Sequence, residues 1–218
     1  MPAHHHAPPA AGQPAPVALE TAPDAAVLDF LAARRSPALR TLAAPGPTPA
    51  EVDRLLALAS RVPDHGRLVP WRFIVLEGEA RAGAGRALDA LYARQNPELP
   101  AEKAGMWQAY LTRAPVVVIL VSRPDETAKI PVWHQELAAG AAGMALTVAA
   151  AAMGYASQWL LKWPVRDAQA AALLGIGPGE RAAGMFHIGH PSLPAPPERA
   201  RPDMAAIVTR WTGAPPAP

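Results

Sequence analysis

Between positions 61 and 73 the chain reads Arg61-Val62-Pro63-Asp64-His65-Gly66-Arg67-Leu68-Val69-Pro70-Trp71-Arg72-Phe73. Guanidinium groups, an Asp-His pair and an indole are gathered in one Gly- and Pro-punctuated stretch. Arginine offers planar forks to anionic oxygens, and indole offers a stacking face. Such a loop suits an anionic, planar ligand. A plain helix-to-strand connection with solvated charges fits the same residues, because connecting loops ordinarily run over the surface. A second basic corner lies upstream, where Arg34-Arg35-Ser36 places two forks beside a hydroxyl. That set can hold a terminal phosphate bidentately. Arginines closing a helix also simply complement its dipole, for about 0.3–1 kcal/mol.

The elements around these residues are legible. Thr48-Pro49-Ala50-Glu51 is a capping box with proline at the first helical position, and Val52, Leu55, Leu56 and Ala59 follow at helical spacing. Pro63 turns Val62 away from helical dihedrals, so that helix ends before the loop. Phe73-Ile74-Val75-Leu76 reads as a buried strand. Across the chain the pattern predicts helices over 24–35, 49–61, 79–94, 99–110, 131–153 and 165–174. Strands are predicted over 72–77, 116–122, 155–160 and 182–188. Strands separated by helices, without regular βαβ repetition in the first third, indicate an α+β or three-layer α/β domain.

A length of 218 residues suits one domain over 24–212. The Ala/Pro-rich arm at 1–23, with His4-His5-His6, lacks the basic start and apolar core of a signal peptide and reads as disordered; 213–218 reads as a loose tail. Net charge is +2, and no basic run is interleaved with aromatics, which argues against nucleic acid. The chain has no cysteine, which excludes thiolate nucleophiles and fits a cytoplasmic protein. From Leu137 to Leu161 no residue is charged. The run is mostly Ala and Gly, however, and Gly154 reads as a helix stop, so a helix buried on all sides explains it better than a membrane span. Its small residues, Gly143 among them, allow a tight contact in the core or across a dimer.

Other chemical signatures are weak. Gly78-Glu79-Ala80-Arg81-Ala82-Gly83 lacks the spacing of a dinucleotide fingerprint. No Gly-x-Ser-x-Gly elbow surrounds Ser157, and His187 and His190 are spaced poorly for a metal.

Taken in order, several segments resemble the FMN-dependent nitroreductase family, and in particular its short subgroup named for NAD(P)H nitroreductase activity. They are Arg34-Arg35-Ser36, Thr48-Pro49, Pro63-Asp64-His65 to Pro70-Trp71-Arg72-Phe73, Arg113-Ala114-Pro115, and Pro131-Val132-Trp133 with Gln135-Glu136. Gly154-Tyr155 to Trp159 and Ile188-Gly189-His190-Pro191 complete the set. The resemblance spans roughly residues 27–191.

It implies an α+β fold with a mixed sheet surrounded by helices, a long central Ala-rich helix, and a homodimer with flavin at the subunit interface. FMN would be the cofactor, NADH or NADPH the electron donor, and a nitroaromatic or quinone-like molecule the acceptor, by a ping-pong mechanism. The flavin would carry the chemistry, with no catalytic side chain and no metal. A flavin-binding protein with little turnover, dehalogenation and flavin fragmentation are the rival readings.

Residue by residue, the resemblance assigns Arg34, Arg35 and Ser36 to the phosphate. Arg201 is a candidate to join them, or a solvated tail charge. Arg61 and His65 would reach the flavin from the second subunit, with Asp64 fixing the His65 tautomer. The wider family carries an amide where this chain has Arg67, a candidate flavin contact whose fixed cation would stabilise an anionic reduced flavin, and Val69 also departs from its pattern. Trp159, Leu160 and Leu161 match a flavin-contacting triplet, although Trp159 also fits an ordinary core. Gly189 would pass close to the ribityl-phosphate. Ala149, Ala150, Ala151, Ala152, Met153 and Gly154 correspond to the nicotinamide-binding stretch.

Overall fold

Val116-Val117-Val118-Ile119-Leu120-Val121-Ser122 is an unbroken apolar run with one polar end, and it forms β3 (Val116–Ser122), buried at every residue. A strand buried on both faces needs no alternation. The computed structural model describes residues 22–193 and 197–213. The arm expected over 1–23 lies almost wholly outside the described residues, as does the tail beyond Gly213.

Contacts divide the chain into Met1–Ala33 and Arg34–Pro218. In the first unit, α1 (Ala25–Ala33) starts where the Asp24 carboxylate accepts the Val27 amide at 3.2 Å. It is shorter than the predicted 24–35, so Arg34 and Arg35 lie outside it, and none of its residues is buried.

The second unit holds a five-stranded sheet. β1 (Leu42–Ala43), β2 (Trp71–Glu77), β3, β4 (Ala156–Leu160) and β5 (Arg181–Pro191) pair antiparallel wherever they pair. β5 is the spine. One of its edges carries β3, and the other carries β4 and then β1. The two-residue β1 was not legible in the sequence, because so short a segment has no periodicity.

Helices cover both faces. On one side α5 (Val132–Ala152) and α2 (Pro49–Ala59) pack Leu55, Ala142, Leu146 and Ala150 against Val118, Leu120, Phe186 and Ile188. On the other, α3 (Glu79–Gln95), α4 (Met106–Thr112) and α7 (Ala168–Leu173) pack Leu88, Trp107, Leu111 and Ala170 against Val117, Ile119 and Met185. The α+β expectation holds.

Two expected helices break. The one predicted over 99–110 becomes a single 3-10 turn at Ala101–Lys103 followed by α4, because Gly105 stands between them at φ +75°. The one predicted over 165–174 divides into α6 (Trp163–Arg166) and α7. Asp167 is extended at that junction, and its carboxylate caps the amides of Gln169 and Ala170 at 3.1 and 2.9 Å. A further short helix, α8 (Met204–Ile207), was not anticipated.

The capping box of α2 forms as the sequence indicates: Thr48 Oγ1 accepts the Glu51 amide, and Glu51 accepts the Thr48 amide at 2.8 Å. Gly154 also ends α5 as expected, at φ +82°, with the Tyr155 amide reaching back to the Ala150 carbonyl at 2.9 Å. No helix among the described residues is long and apolar enough to cross a membrane.

Candidate functional site

Two concave places bring predicted residues together. The first joins the start of the second unit to its late segment. Arg34, Arg35, Ser36, Arg199 and Arg201 line a cavity of about 130 Å³. Within it the Arg34 guanidinium donates to Ser36 Oγ at 3.3 Å, and Arg35 donates to the Arg34 carbonyl at 3.0 Å. Glu198 forms ion pairs with both Arg35 and Arg201. Four guanidinium groups against one carboxylate leave an excess of positive charge in a half-enclosed place, where Coulomb attraction for an anion is strong. Arg201 is therefore in the same cavity as Arg34, although it lies 167 positions further along the sequence. Arg199 was not singled out from the sequence, where it sits in an exposed charged run.

The second place is built by the loop after α2 and the start of α5. Pro63 and His65 meet Trp133, His134 and Leu137 around a cavity of about 360 Å³ floored by Ala138 and Ala141. The Nδ1 atoms of His65 and His134 are 3.1 Å apart, and the rings meet edge to edge, with centroids 5.4 Å apart and planes inclined by 25°. Trp133 stands edge-on to His134 at 4.5 Å. Gln135, buried one position further on, fixes the start of the helix. Its amide donates to the carbonyls of Asp125 and Ile130 at 2.9 and 3.0 Å, and its oxygen accepts the Asp125 amide at 2.8 Å. This accounts for the Gln in the Pro-Val-Trp segment.

The loop itself is strained. Arg67 and Val69 have φ of +54° and +48°, a region that a β-branched residue avoids. Asp64 holds them there: its Oδ2 accepts the Val69 amide at 2.8 Å, and its carbonyl accepts the Arg67 amide at 3.1 Å. The Asp64 carboxylate is thus taken up by the loop backbone, and the expected contact with His65 does not form among the described residues; His65 Nδ1 faces His134 instead. Asp64 Oδ1 is buried without a hydrogen-bond partner. Strain held by a carboxylate with an unfilled acceptor marks a place built for something beyond connection. The guanidinium of Arg61 and that of Arg67 both reach solvent. Arg72, by contrast, is structural: its Nε donates to Glu180 at 2.7 Å, and the guanidinium beside Glu180 holds that carboxyl down at about 2.

The remaining predicted residues fall elsewhere. Trp159 lies flat between α5 and β5; its Nε1 donates to the Ala183 carbonyl at 3.0 Å, and its ring meets Phe186 at 4.8 Å. A Cβ on Gly184 would lie 1.9 Å from Trp159 Nε1, and one on Gly143 would lie 2.8 Å from its Cη2. Gly143 therefore packs within the protomer's own core. Trp159 keeps about a third of its surface exposed, and Leu161 is exposed beside it, whereas Leu160 is half-buried. At Gly189 a Cβ would lie 2.7 Å from Pro115 Cδ and 2.9 Å from the Ala43 carbonyl, so packing against β1 already requires a glycine there. Ala149 and Ala150 face the core, while the end of the stretch, from Ala151 to Gly154, is half-buried to exposed. Among the described residues no three His, Cys, Asp or Glu side chains are grouped to hold a metal.

A profile of the nitroreductase family matches residues 31–190. The Escherichia coli K12 protein named "Putative NAD(P)H nitroreductase YdjA" is 33% identical over 188 residues, covering 84% of this chain and 97% of that protein. A nitroreductase-like family protein from Bacillus cereus shares the fold, with a TM-score of 0.75 at 20% identity over 90% of this chain and all of the other. So does an FMN- and NADPH-dependent nitroreductase, NfnB, from Sphigopyxis sp., with a TM-score of 0.64 at 22% identity over 86% of this chain and 99% of the other.

Proposed function

Because this chain belongs to the nitroreductase family, we propose that it is an oxidoreductase that binds FMN non-covalently and takes electrons from NADH or NADPH. It passes them to a small electron-poor acceptor of the nitroaromatic or quinone kind. One site serves donor and acceptor in turn, which gives ping-pong kinetics. The observation that carries this reading is the arginine cavity, which gathers Arg34, Arg35, Ser36 and Arg201 around a space of about 130 Å³. A dianionic phosphate matches its donors and its charge.

FMN, when bound, supplies the two-electron chemistry. The chain's own residues bind and orient. Arg34, Arg35 and Ser36 hold the phosphate with Arg201. Arg61, His65 and Arg67 present cations and imidazole to the ring from the strained loop, which the Asp64 carboxylate holds in shape. Trp159 to Leu161 and the backbone at Ala151 to Gly154 offer apolar and small surfaces for flavin and nicotinamide. Gly189 belongs to the same neighbourhood of β5.

A homodimer fits the late segment. Met204, Ile207, Val208 and Trp211 are 62%, 63%, 43% and 72% exposed, an apolar surface that a second copy would cover. A chain without cysteine suits the reducing cytoplasm.

Purified protein is expected to be yellow and to release FMN on denaturation. Arg34→Ala is expected to weaken FMN binding by about 1.5–3 kcal/mol, the scale of a charged hydrogen bond, while Arg40→Ala leaves it unchanged. Rapid reduction of bound FMN by NADPH in a stopped-flow instrument separates an enzyme from a flavin store. A colourless protein that takes up no added FMN would overturn the reading.

A further inference from the structure

We propose that Glu198 is a built-in competitor for the phosphate: its carboxylate bridges the guanidinium groups of Arg35 and Arg201, and an arriving phosphate monoester displaces it and takes both over. The proposal rests on the oxidoreductase reading above and assigns that reading's cofactor site a means of regulation.

The bridge is the central observation. Glu198 Oε2 is paired with Arg35, and Oε1 is paired with Arg201 at 2.6 Å. One carboxylate thus engages two of the four arginines that line the cavity. Arg34 is engaged differently, through Ser36 Oγ at 3.3 Å. An arginine keeps its proton in a protein, so these groups always call for an anion. A carboxylate and a phosphate monoester meet guanidinium through the same charge-assisted contacts. They differ in strength of supply. The carboxylate brings one charge on two oxygens, whereas the monoester brings three terminal oxygens and a charge of about −1.5 to −2 at pH 7.

The bridge is also weak enough to open. The Glu198 side chain is 49% exposed and that of Arg201 is 60% exposed. Ion pairs so close to water are screened, and they immobilise two long side chains. A site that spends part of its time on an internal partner has its apparent affinity reduced to the fraction of time it is free. Glu198 therefore sets how firmly the phosphate is held, and it has no effect on a flavin that lacks one. Two other roles for the same carboxylate give different outcomes. If it only aims Arg35 and Arg201, it keeps its bonds when the phosphate arrives, and losing it weakens binding. If it is only a neighbouring negative charge, any carboxylate at that position acts alike.

The test is a fluorescence titration of flavin-free protein with FMN and with riboflavin, beside a calorimetric titration with inorganic phosphate. Glu198→Gln keeps the size and removes the charge. Glu198→Asp keeps the charge but is one methylene shorter, too short to span both arginines. FMN and inorganic phosphate are expected to bind about threefold tighter to the Gln variant and about twofold tighter to the Asp variant, the scale of an exposed ion pair. Riboflavin should bind all three proteins equally. Weaker or unchanged phosphate binding in the Gln variant would overturn the proposal, as would an Asp variant that matches the parent. So would riboflavin tightening as much as FMN, or a parent that binds neither FMN nor phosphate. A parent that binds inorganic phosphate with the expected ratios but takes up no FMN would uphold the exchange and sink the flavin reading. FMN uptake that both variants leave unaltered would do the reverse.

Discussion

The two faces of β5 are covered by different chemistry. Towards α5, the strand presents Phe186 and Ile188 with Gly184 between them and Trp159, and the helix meets them with Gly143, Ala142 and Ala139. The nitrogen and hydroxyl donors nearest Gly143 have partners there. The Trp159 indole donates to the Ala183 carbonyl, and the Thr147 hydroxyl donates to the Gly143 carbonyl at 3.1 Å. Among the described residues, the buried groups left unpaired on that side are hydroxyls, those of Ser122 and Ser157. Towards α4 the strand presents Met185 and His187, and the helix meets them with Trp107 and Tyr110. Here both nitrogens of fully buried His187, the Tyr110 hydroxyl, the Trp107 indole nitrogen and the Gln158 carbonyl oxygen have no protein partner. One face is limited by space and the other by unmet polarity. Overfilling should hurt the first, and charging should hurt the second.

Space predicts the largest effect. Gly143→Leu drives a branched side chain to where a single Cβ already comes within 2.8 Å of Trp159 and 3.0 Å of Phe186. We expect a loss of about 3 kcal/mol, the upper part of the overpacking range. Gly143→Ala gains about 1 kcal/mol of helix propensity, yet it meets the same ring atoms, so it should remain less stable than the parent. Urea unfolding of both variants measures this. A Leu variant as stable as the parent would break the contrast, because the α5 face would then be no tighter than the other.

Charge predicts the next effect. Burial pushes His187 down to about 4 from an ordinary value of 6.5. Between those two values the unfolded chain binds a proton that the folded one refuses, so stability falls as pH drops from about 6.5 and levels off below about 4. The shift corresponds to about 3 kcal/mol at the acid end, at 1.36 kcal/mol per unit, and to almost nothing above pH 7.5. His187→Leu should flatten that part of the stability profile by the same amount. Equal acid slopes in parent and variant would show that His187 does not carry the difference between the faces.

What was legible follows the same division between local and distant causes. The capping box at Thr48, the stop at Gly154 and the β3 run are set by residues a few positions apart, and all three formed as read. The break at Gly105 and the kink at Asp167 are also local; a helical reading of the surrounding alanines and leucines masked them. The arginine corner was legible as chemistry, because Arg34-Arg35-Ser36 is contiguous. That Arg199 and Arg201 join it depends on a chain path no spacing reveals. His134 was missed for the same reason. It is 69 positions from His65, and only the docking of the loop on α5 brings their Nδ1 atoms to 3.1 Å. The left-handed Val69 left no signal at all, since a valine before a proline reads as extended backbone. Its conformation is imposed by the Asp64 carboxylate.

The smallest expected effect is the most discriminating between the faces. Tyr110→Phe removes a hydroxyl that has no protein partner and that burial keeps in its neutral form, its titration pushed well above the ordinary phenol range. Thr147→Val removes a hydroxyl that donates to a helix carbonyl. Each change removes one buried hydroxyl: Tyr110→Phe deletes the oxygen, and Thr147→Val replaces it with a methyl of similar size. If polarity limits the α4 face, deleting the unmet donor relieves a desolvation cost, and Tyr110→Phe should stabilise by about 1 kcal/mol. Thr147→Val loses a made hydrogen bond and should cost about 0.5–1.5 kcal/mol. Opposite signs in denaturant unfolding at pH 7.5 would confirm the contrast. A loss at both positions would mean that water reaches Tyr110 and His187 and meets their hydrogen bonds, since a buried water makes about three bonds to such groups. The faces would then differ in what satisfies them, and His187 should lose its acid sensitivity in step.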